Sequence, residues 1–272
     1  MRSKTTQVWL LLALQFCSVS VFAEHTSQPT NAVEAAKPRG TSDPERRASA
    51  RSENFIVVAE NTEFAEEVAQ AAEKFRKSLA TEWLGKELPR ASEPSVIRVN
   101  CQPNFPGHGR TDLRFFLGFR GAAMEVNGCR KEILDSVVPH EVFHVVLATH
   151  FGSPVPRWAD EGLCTTVECE ADRAKMRKLL VEFLYTNRGI AFRKMVEAKD
   201  YPRDMLPIYA QGQSVVEYLV QMKDKKTFIA FLGQAIKEKE WEKALRDHYE
   251  IASLDDFQVN WLEWVRASLK QR

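Results

Sequence analysis

A single, largely apolar stretch near the middle of the chain constrains the fold most. From 136 to 148 it reads Ser-Val-Val-Pro-His-Glu-Val-Phe-His-Val-Val-Leu-Ala, with Glu141 as its one charged residue. The stretch predicts a buried helix over 133–151 that ends at Gly152. His140 and His144 lie about 40° apart around such a helix and one turn along it, so both imidazoles can reach the same point. A buried apolar helix is an unfavourable place for two imidazoles unless something binds them.

The pattern His140-Glu141-x-x-His144 is typical of zinc hydrolases. Zinc lowers the pKa of a bound water toward about 7, and a neighbouring glutamate can accept the proton that this water loses. We therefore predict that His140 and His144 bind Zn²⁺ and that Glu141 is the general base.

A catalytic zinc site needs a third protein ligand, and two residues compete for this role. His150 follows His144 by six residues, but Leu147 stands where HExxHxxGxxH enzymes have a helix-breaking glycine. If the helix continues, His150 points about 240° away from His144. Glu161 lies on the next predicted helix, which can fold back onto the histidines. We favour Glu161 and keep the thiolate of Cys164, one turn further on, as an alternative.

The sequence divides into a strand-rich half and a helical half. Apolar runs predict strands at 54–59, 96–99, 113–117 and 121–126, and a helix capped by Asn61 or Thr62 follows the first strand. Further helices are predicted at 206–222, 227–236 and 254–269. We expect an α+β fold in which a mixed sheet and the histidine-bearing helix occupy 53–156 and an all-helical part occupies 157–272.

The N-terminal 23 residues predict a secretory signal peptide. Arg2 and Lys4 precede an apolar run that is shorter than the roughly 20 residues of a membrane-spanning helix. Val21 and Ala23 are the small residues that precede a cleavage site after Ala23. We expect a periplasmic or extracellular protein with no stable membrane insertion after cleavage. Residues 24–52 hold no aromatic residue, Leu or Ile, which predicts a disordered linker.

Export would place the remaining cysteines in a compartment that permits disulfides. These cysteines are Cys101, Cys129, Cys164 and Cys169. Three pairings of them are possible, and the sequence does not choose among them.

The charge balance argues against a nucleic-acid partner. The chain has 38 Lys and Arg against 37 Asp and Glu, a formal net charge of +1. The two signs are interleaved, whereas nucleic-acid binding requires a basic stripe that displaces counterions from phosphates.

The segment HEVFHVVLATHFGSPVPRWADEGL, 140–163, resembles the gluzincin metallopeptidases. It is most similar to the peptidase MA-like proteins, which have Pro-x-Trp-x-x-Glu-Gly after HExxH. The resemblance extends over about 54–268 and is strongest at 136–163. It implies a zincin-like fold with a cleft between a sheet-bearing and a helical subdomain, His140, His144 and Glu161 as zinc ligands, and Glu141 as the base.

The resemblance also implies roles outside the motif. Family members commonly stabilise the oxyanion with a Tyr or His from the helical half, for which Tyr209 is our candidate and Tyr218 a second one. An edge strand often holds the substrate backbone, and 121–126 is the corresponding stretch. The chain departs from some gluzincins at Thr165, where those proteins have an Asp that orients a histidine.

We expect an exported zinc metallopeptidase that acts on peptide or protein substrates. A metallohydrolase of another substrate class is one alternative, because HExxH specifies the activated water and not the bond attacked. A binding module with structural zinc or none is the other. Glu141 favours an enzyme, since a structural site needs no base.

Overall fold

The structure, a computed structural model, describes residues 18–23, 47–186, 188–198 and 203–270. These residues form a mixed α+β fold with a six-stranded sheet and mostly helical content. The strands are β1 (Ser18–Ala23), β2 (Ala48–Arg51), β3 (Phe55–Ala59), β4 (Ser95–Cys101), β5 (His108–Phe115) and β6 (Phe119–Gly128). The helices are α1 (Thr62–Leu79), the single turn α2 (Arg130–Glu132), α3 (Val138–Phe151), α4 (Arg157–Thr166), α5 (Glu170–Tyr185), α6 (Phe192–Glu197), α7 (Leu206–Met222), α8 (Lys225–Glu238), α9 (Trp241–Tyr249) and α10 (Leu254–Lys270).

The sheet has the order β1-β5-β6-β4-β3-β2. Strands β3, β4 and β6 are parallel, which requires long connections, and α1 lies in the first of them. The pairs β5–β6, β1–β5 and β2–β3 are antiparallel. Buried and less buried side chains alternate along β3, so one face of the sheet carries the core.

Helices α1 and α3 pack side by side against that face. The side chain of Asn61 caps α1 by accepting a hydrogen bond from the backbone N–H of Phe64, as the sequence predicts. A π-helical turn at Ile133–Val137 precedes α3, and α3 ends at Gly152, whose φ of 64° is left-handed. The residues of α3 are buried as far as Ala148, because α3 lies between the sheet and the helical half.

Helices α4 and α7 make the closest helix pair of the helical half. Gly162 and Gly212 face each other at their contact, and a Cβ on either glycine would overlap the backbone of the opposite helix. This close approach brings the residues on the buried side of α4 next to those of α7. The aromatic ring of Trp83 contacts Phe143 of α3 at 5.5 Å and Phe228 of α8 at 6.4 Å, which joins the two halves through one apolar core.

The predicted strands and helices are confirmed as elements, and α7 has the predicted bounds. Two expectations differ from the structure. Strand β2 lies within the last residues of the expected linker at 24–52, because Ala48–Arg51 pairs with β3. The stretch 121–126 is not an edge strand, because β6 lies between β5 and β4.

The N-terminal predictions fall largely outside the described residues. Of the expected signal peptide only Ser18–Ala23 is described, and it pairs as β1 with β5. Residues 24–46 of the expected linker also lie outside the described ranges.

Candidate metal centre

The two histidines of α3 lie together in the core. His140 is 3% exposed and His144 is fully buried, and their ring centroids are 5.0 Å apart. One helical turn separates them, so the two imidazoles lie side by side, as the helical spacing predicts.

A carboxylate contacts the Nδ1 atom of each imidazole. Glu168 Oε1 lies 2.7 Å from Nδ1 of His140, and Asp160 Oδ1 lies 2.9 Å from Nδ1 of His144. Both carboxylates are themselves buried. A proton on each Nδ1 completes these hydrogen bonds, which leaves the lone pair of each Nε2 available for a cation.

The Nε2 atoms face Glu161, which α4 carries back toward α3. Glu161 Oε2 lies 3.4 Å from Nε2 of His140 and 3.8 Å from Nε2 of His144. Neither Nε2 atom nor Oε2 has a hydrogen-bond partner with acceptable geometry, although all three are fully buried. Buried polar atoms without partners are rare and destabilising, and a cation between them would satisfy all three.

A cation at this position would displace a proton from His140, whereas Glu161 is already ionised. Burial opposes a charge on His140, but its contacts with Glu161 and Glu168 outweigh that effect and raise the pKa of His140 well above its ordinary value. Burial alone would raise the pKa of Glu161, yet His140, His144 and Arg157 together lower it. Nη1 of Arg157 lies 3.3 Å from Glu161 Oε1. Glu161 therefore stays ionised, as a metal ligand must.

Cys164 is a second neighbour of the histidines. His140, His144 and Cys164 each offer one ligand atom. These three atoms lie within 4.8 Å of one another, so this buried group could hold a metal ion. The sulfur, however, lies 3.3 Å from Nδ1 of His144, the nitrogen that Asp160 engages. Burial, then the charges of Asp160 and Glu161, raise the pKa of Cys164 well above its ordinary value, so the thiol stays protonated. Of the two candidates for a third ligand, Glu161 and Cys164, Glu161 thus fits the free Nε2 atoms better.

Glu141 lies beside the histidines and is 1% exposed. Its Oε2 accepts a hydrogen bond of 2.5 Å from the hydroxyl of Thr111 on β5. Gly109, two residues earlier on β5, leaves room for the carboxylate, because a Cβ there would overlap it. Burial raises the pKa of Glu141, against the lowering effects of His140, His144 and the Thr111 hydrogen bond.

A cavity of about 100 Å³ leads to this carboxylate. His140, Glu141 and Glu168 line it, together with the loop before β5, the start of β5, the turns that precede α3 and the first part of α5. A ligand in the cavity would therefore lie beside Glu141.

Tyr209 joins the site from α7. It is 5% exposed, and its pKa is raised well above the ordinary value by burial and next by the charge of Glu161. Tyr218, the second candidate, packs against the rings of Phe257 at 5.8 Å and Trp264 at 5.5 Å. The structure thus brings Tyr209 to Glu161 and puts Tyr218 into the aromatic core.

Several other residues of interest lie away from the histidine pair. His150 packs against Phe151 at the end of α3 and lines a different cavity. His248 is hydrogen-bonded to Gln234 at 2.8 Å. The described cysteines Cys101, Cys129, Cys164 and Cys169 are free thiols.

Sequence reasoning missed Glu168. It noted only that Thr165 stands where some gluzincins have an Asp that orients a histidine. Glu168 lies in the turn between α4, which ends at Thr166, and α5, so helical periodicity does not place it beside Glu161. The sequence therefore offered no periodic signal for its contact with His140.

No protein-family model matches this chain, and no curated protein is significantly similar to it. None of the helices within the described ranges is both long and apolar enough to cross a membrane.

Proposed function

We propose that this protein is a zinc-dependent peptidase of gluzincin type, with Zn²⁺ held by His140, His144 and Glu161. The observation that carries the proposal is the set of three buried, unpartnered atoms that face one another, two Nε2 and one carboxylate oxygen. Each imidazole is also oriented from behind by a carboxylate. Burying such a set of polar groups is costly, so hydrophobic packing alone does not explain why they lie in the core.

The donors fit zinc in particular. Two imidazole nitrogens and one carboxylate oxygen are the ligands of many catalytic zinc sites, which keep a fourth position open. A magnesium or calcium site would be built from oxygen atoms instead. Bound zinc would polarise a substrate carbonyl and lower the pKa of a water molecule.

The residues around the ligands can accept and donate the protons that move during hydrolysis. Thr111 holds Glu141, which lines the cavity, and there the carboxylate can accept a proton and later donate it to the leaving amine. Its raised pKa brings it closer to neutral pH, where a carboxyl group both accepts and donates protons effectively. Tyr209 stays protonated because of its raised pKa, and its hydroxyl can donate to a developing oxyanion.

We further propose a zincin-like arrangement in which an extended substrate pairs with β5. Gly109 and Thr111 on this strand flank Glu141, so a peptide along the outer edge of β5 would pass the base. The edge is paired with β1 in the full chain, and β1 lies within the predicted signal peptide. Cleavage after Ala23 would remove β1 and open the edge.

The test is cleavage of an unbiased peptide mixture by zinc-loaded protein 24–272, followed by mass spectrometry. We expect cuts that disappear in Glu141→Gln while the variant retains stoichiometric zinc. A second control, Glu125→Gln, changes a carboxylate on β6 and should cut as the wild type does. If the wild type binds zinc and produces no cuts, the peptidase proposal fails, and hydrolysis of another bond or a binding role replaces it.

A further inference from the structure

The cavity beside Glu141 has a second chemical feature, which is the charge of its wall. Three further carboxylates line it, those of Glu132, Glu168 and Asp172. Lys175 is the one Lys or Arg among the described residues of its lining. At about 100 Å³ the cavity is smaller than the roughly 300–1,000 Å³ of pockets that enclose a whole small ligand. It therefore suits one side chain of a larger substrate, and its wall favours a positively charged one.

Two of these carboxylates have an oxygen atom without a partner. Oε1 of Glu168 contacts His140, but Oε2 has no hydrogen-bond partner among the described residues, although Glu168 is only 8% exposed. Oε2 of Glu132 is likewise buried and unpartnered within the described part of the chain. Asp172 differs, because its Oδ2 accepts a hydrogen bond from Ser136. Buried carboxylate oxygens without donors are costly, and N–H groups of a ligand in the cavity would satisfy them.

Two glycines bring the chain at the start of β5 close to this wall. A Cβ on Gly109 would overlap the carboxylate of Glu141, and a Cβ on Gly107 would lie 3.8 Å from Oε2 of Glu132. Two residues of extended chain span at most about 7 Å, so Glu132 meets this segment within about 7 Å of the point where the proposed base meets it. The long side chains of Lys and Arg can reach over such a distance.

We propose that this cavity is a specificity subsite for a basic side chain, so that the enzyme cuts next to an arginine or a lysine of its substrate. The inference rests on the proposed peptidase function and names its substrate class. The cationic group of the substrate lies at the free oxygen atoms of Glu132 and Glu168. Arginine is preferred to lysine, because its planar guanidinium can donate to two carboxylates at once. Glu132 is the specificity-determining residue, since Glu168 also orients His140.

The test compares peptides that differ only in charge. The peptides carry arginine immediately before or immediately after the scissile bond found in the peptide mixture, and each has a partner with citrulline, a neutral residue of the same shape. On one side of the bond, we expect zinc-loaded protein 24–272 to cleave the arginine peptide with a kcat/KM about tenfold higher than that of the citrulline peptide. Glu132→Gln should remove this preference by lowering kcat/KM for the arginine peptide alone. Glu125→Gln, outside the cavity, should retain the preference.

Two lysine variants test the charge of the cavity in the opposite direction. Lys175→Gln removes the positive charge that repels a basic substrate, and it should increase the preference for arginine over citrulline by about two- to threefold. Lys178→Gln is the matched control, because it removes an ammonium group of the same helix outside the cavity, and it should leave the preference unchanged. Both lysines are exposed, so neither variant should disturb the fold.

The outcomes separate this proposal from the function on which it rests. Equal kcat/KM values for the arginine and citrulline peptides would overturn the subsite and leave the peptidase function standing. A preference for arginine that Glu132→Gln retains would overturn the assignment of this cavity to the basic side chain. If the protein binds zinc and cuts no peptide, the peptidase function fails and the subsite fails with it.

Discussion

The carboxylates of Glu168 and Asp160 determine how the imidazoles of α3 are oriented. Each lies within hydrogen-bond distance of one Nδ1 atom and directs the opposite nitrogen toward Glu161. Such partners keep the ring in the tautomer that binds a metal and make the nitrogen a better donor.

Glu168→Ala should therefore weaken zinc binding by about 10-fold to 100-fold. Glu170→Ala is the matched control, because Glu170 pairs with Arg173 and Arg177 at the surface and not with a histidine. Competition with a chromophoric chelator measures both affinities. Equal affinities of the two variants would show that Glu168 does not support the metal.

Thr111 should determine where the activity begins to fall at low pH. A base must be ionised, so the rate falls as the pH drops through the pKa of Glu141. The Thr111 hydrogen bond lowers that pKa, so Thr111→Val should raise the pKa of Glu141 further.

The acidic limb of the profile of kcat/KM against pH should accordingly move upward in Thr111→Val. Thr149→Val is the control, because the Thr149 hydroxyl donates to the carbonyl of Val145 within α3. An unchanged limb in Thr111→Val would contradict the role of Glu141 as the base.

Tyr209 should act on the rate and not on substrate binding. Tyr209→Phe removes one hydroxyl donor beside Glu161, which should lower kcat by about 100-fold with KM nearly constant. Tyr218→Phe, in the aromatic core, should leave kcat within a factor of about two. Steady-state kinetics on one cleaved peptide gives both constants, and a change confined to KM would argue against an oxyanion donor.

The residues of the motif could be predicted from the sequence because helical periodicity fixes their mutual positions. His140, Glu141 and His144 share one helix, so a single rule places them. Glu168 and Thr111 could not be placed this way, because their positions depend on how α4 and β5 pack against α3. Glu161 was predicted by the resemblance and by the helix stop at Gly152.

At the scale of elements, the contact between α4 and α7 positions Glu161 and Tyr209 together. Gly162 and Gly212 let the two backbones touch, which a side chain at either position would prevent. The distance between the carboxylate and the hydroxyl therefore depends on two residues that carry no side chain.

Gly212→Ala should lower the free energy of unfolding by about 2 kcal/mol, since its Cβ would overlap the Trp158 carbonyl. Gly233→Ala makes the same change in α8, where the Cβ meets only an ordinary contact, and should be neutral or stabilising. Urea denaturation measures both. A Gly212→Ala variant as stable as the wild type would show that the helices can separate without penalty.

The periodicity of the sequence predicts most helices and strands, but it does not predict which of them lie next to one another. Alternation marks β6 as a strand and says nothing about which strands flank it, so 121–126 was wrongly expected at an edge. Strand β2 was missed because Ala48–Arg51 has almost no apolar side chain and is held by pairing with β3.

At the scale of the whole molecule, the candidate metal site joins the two halves. His140 and His144 belong to the helix that covers the sheet, and Glu161 belongs to the helical half. A bound ion would therefore stabilise the packing of one half on the other.

Zinc at a thousand times its dissociation constant should raise Tm by about 10 °C, from about 4 kcal/mol of binding free energy. At one fixed zinc concentration the increase should be smaller at about pH 6 than at about pH 8, because zinc must displace protons and the pKa of His140 is raised. His144→Ala should abolish the increase and His248→Ala should retain it. Calorimetric scans with zinc and with a chelator measure the shifts.

The account depends most on which atoms hold the metal, and X-ray absorption of the zinc-loaded protein tests this directly. We predict a first shell of nitrogen and oxygen atoms at about 2.0–2.1 Å, with two imidazoles and no sulfur. A zinc–sulfur distance of about 2.3 Å would identify Cys164 as the ligand in place of Glu161 and would contradict the proposed centre.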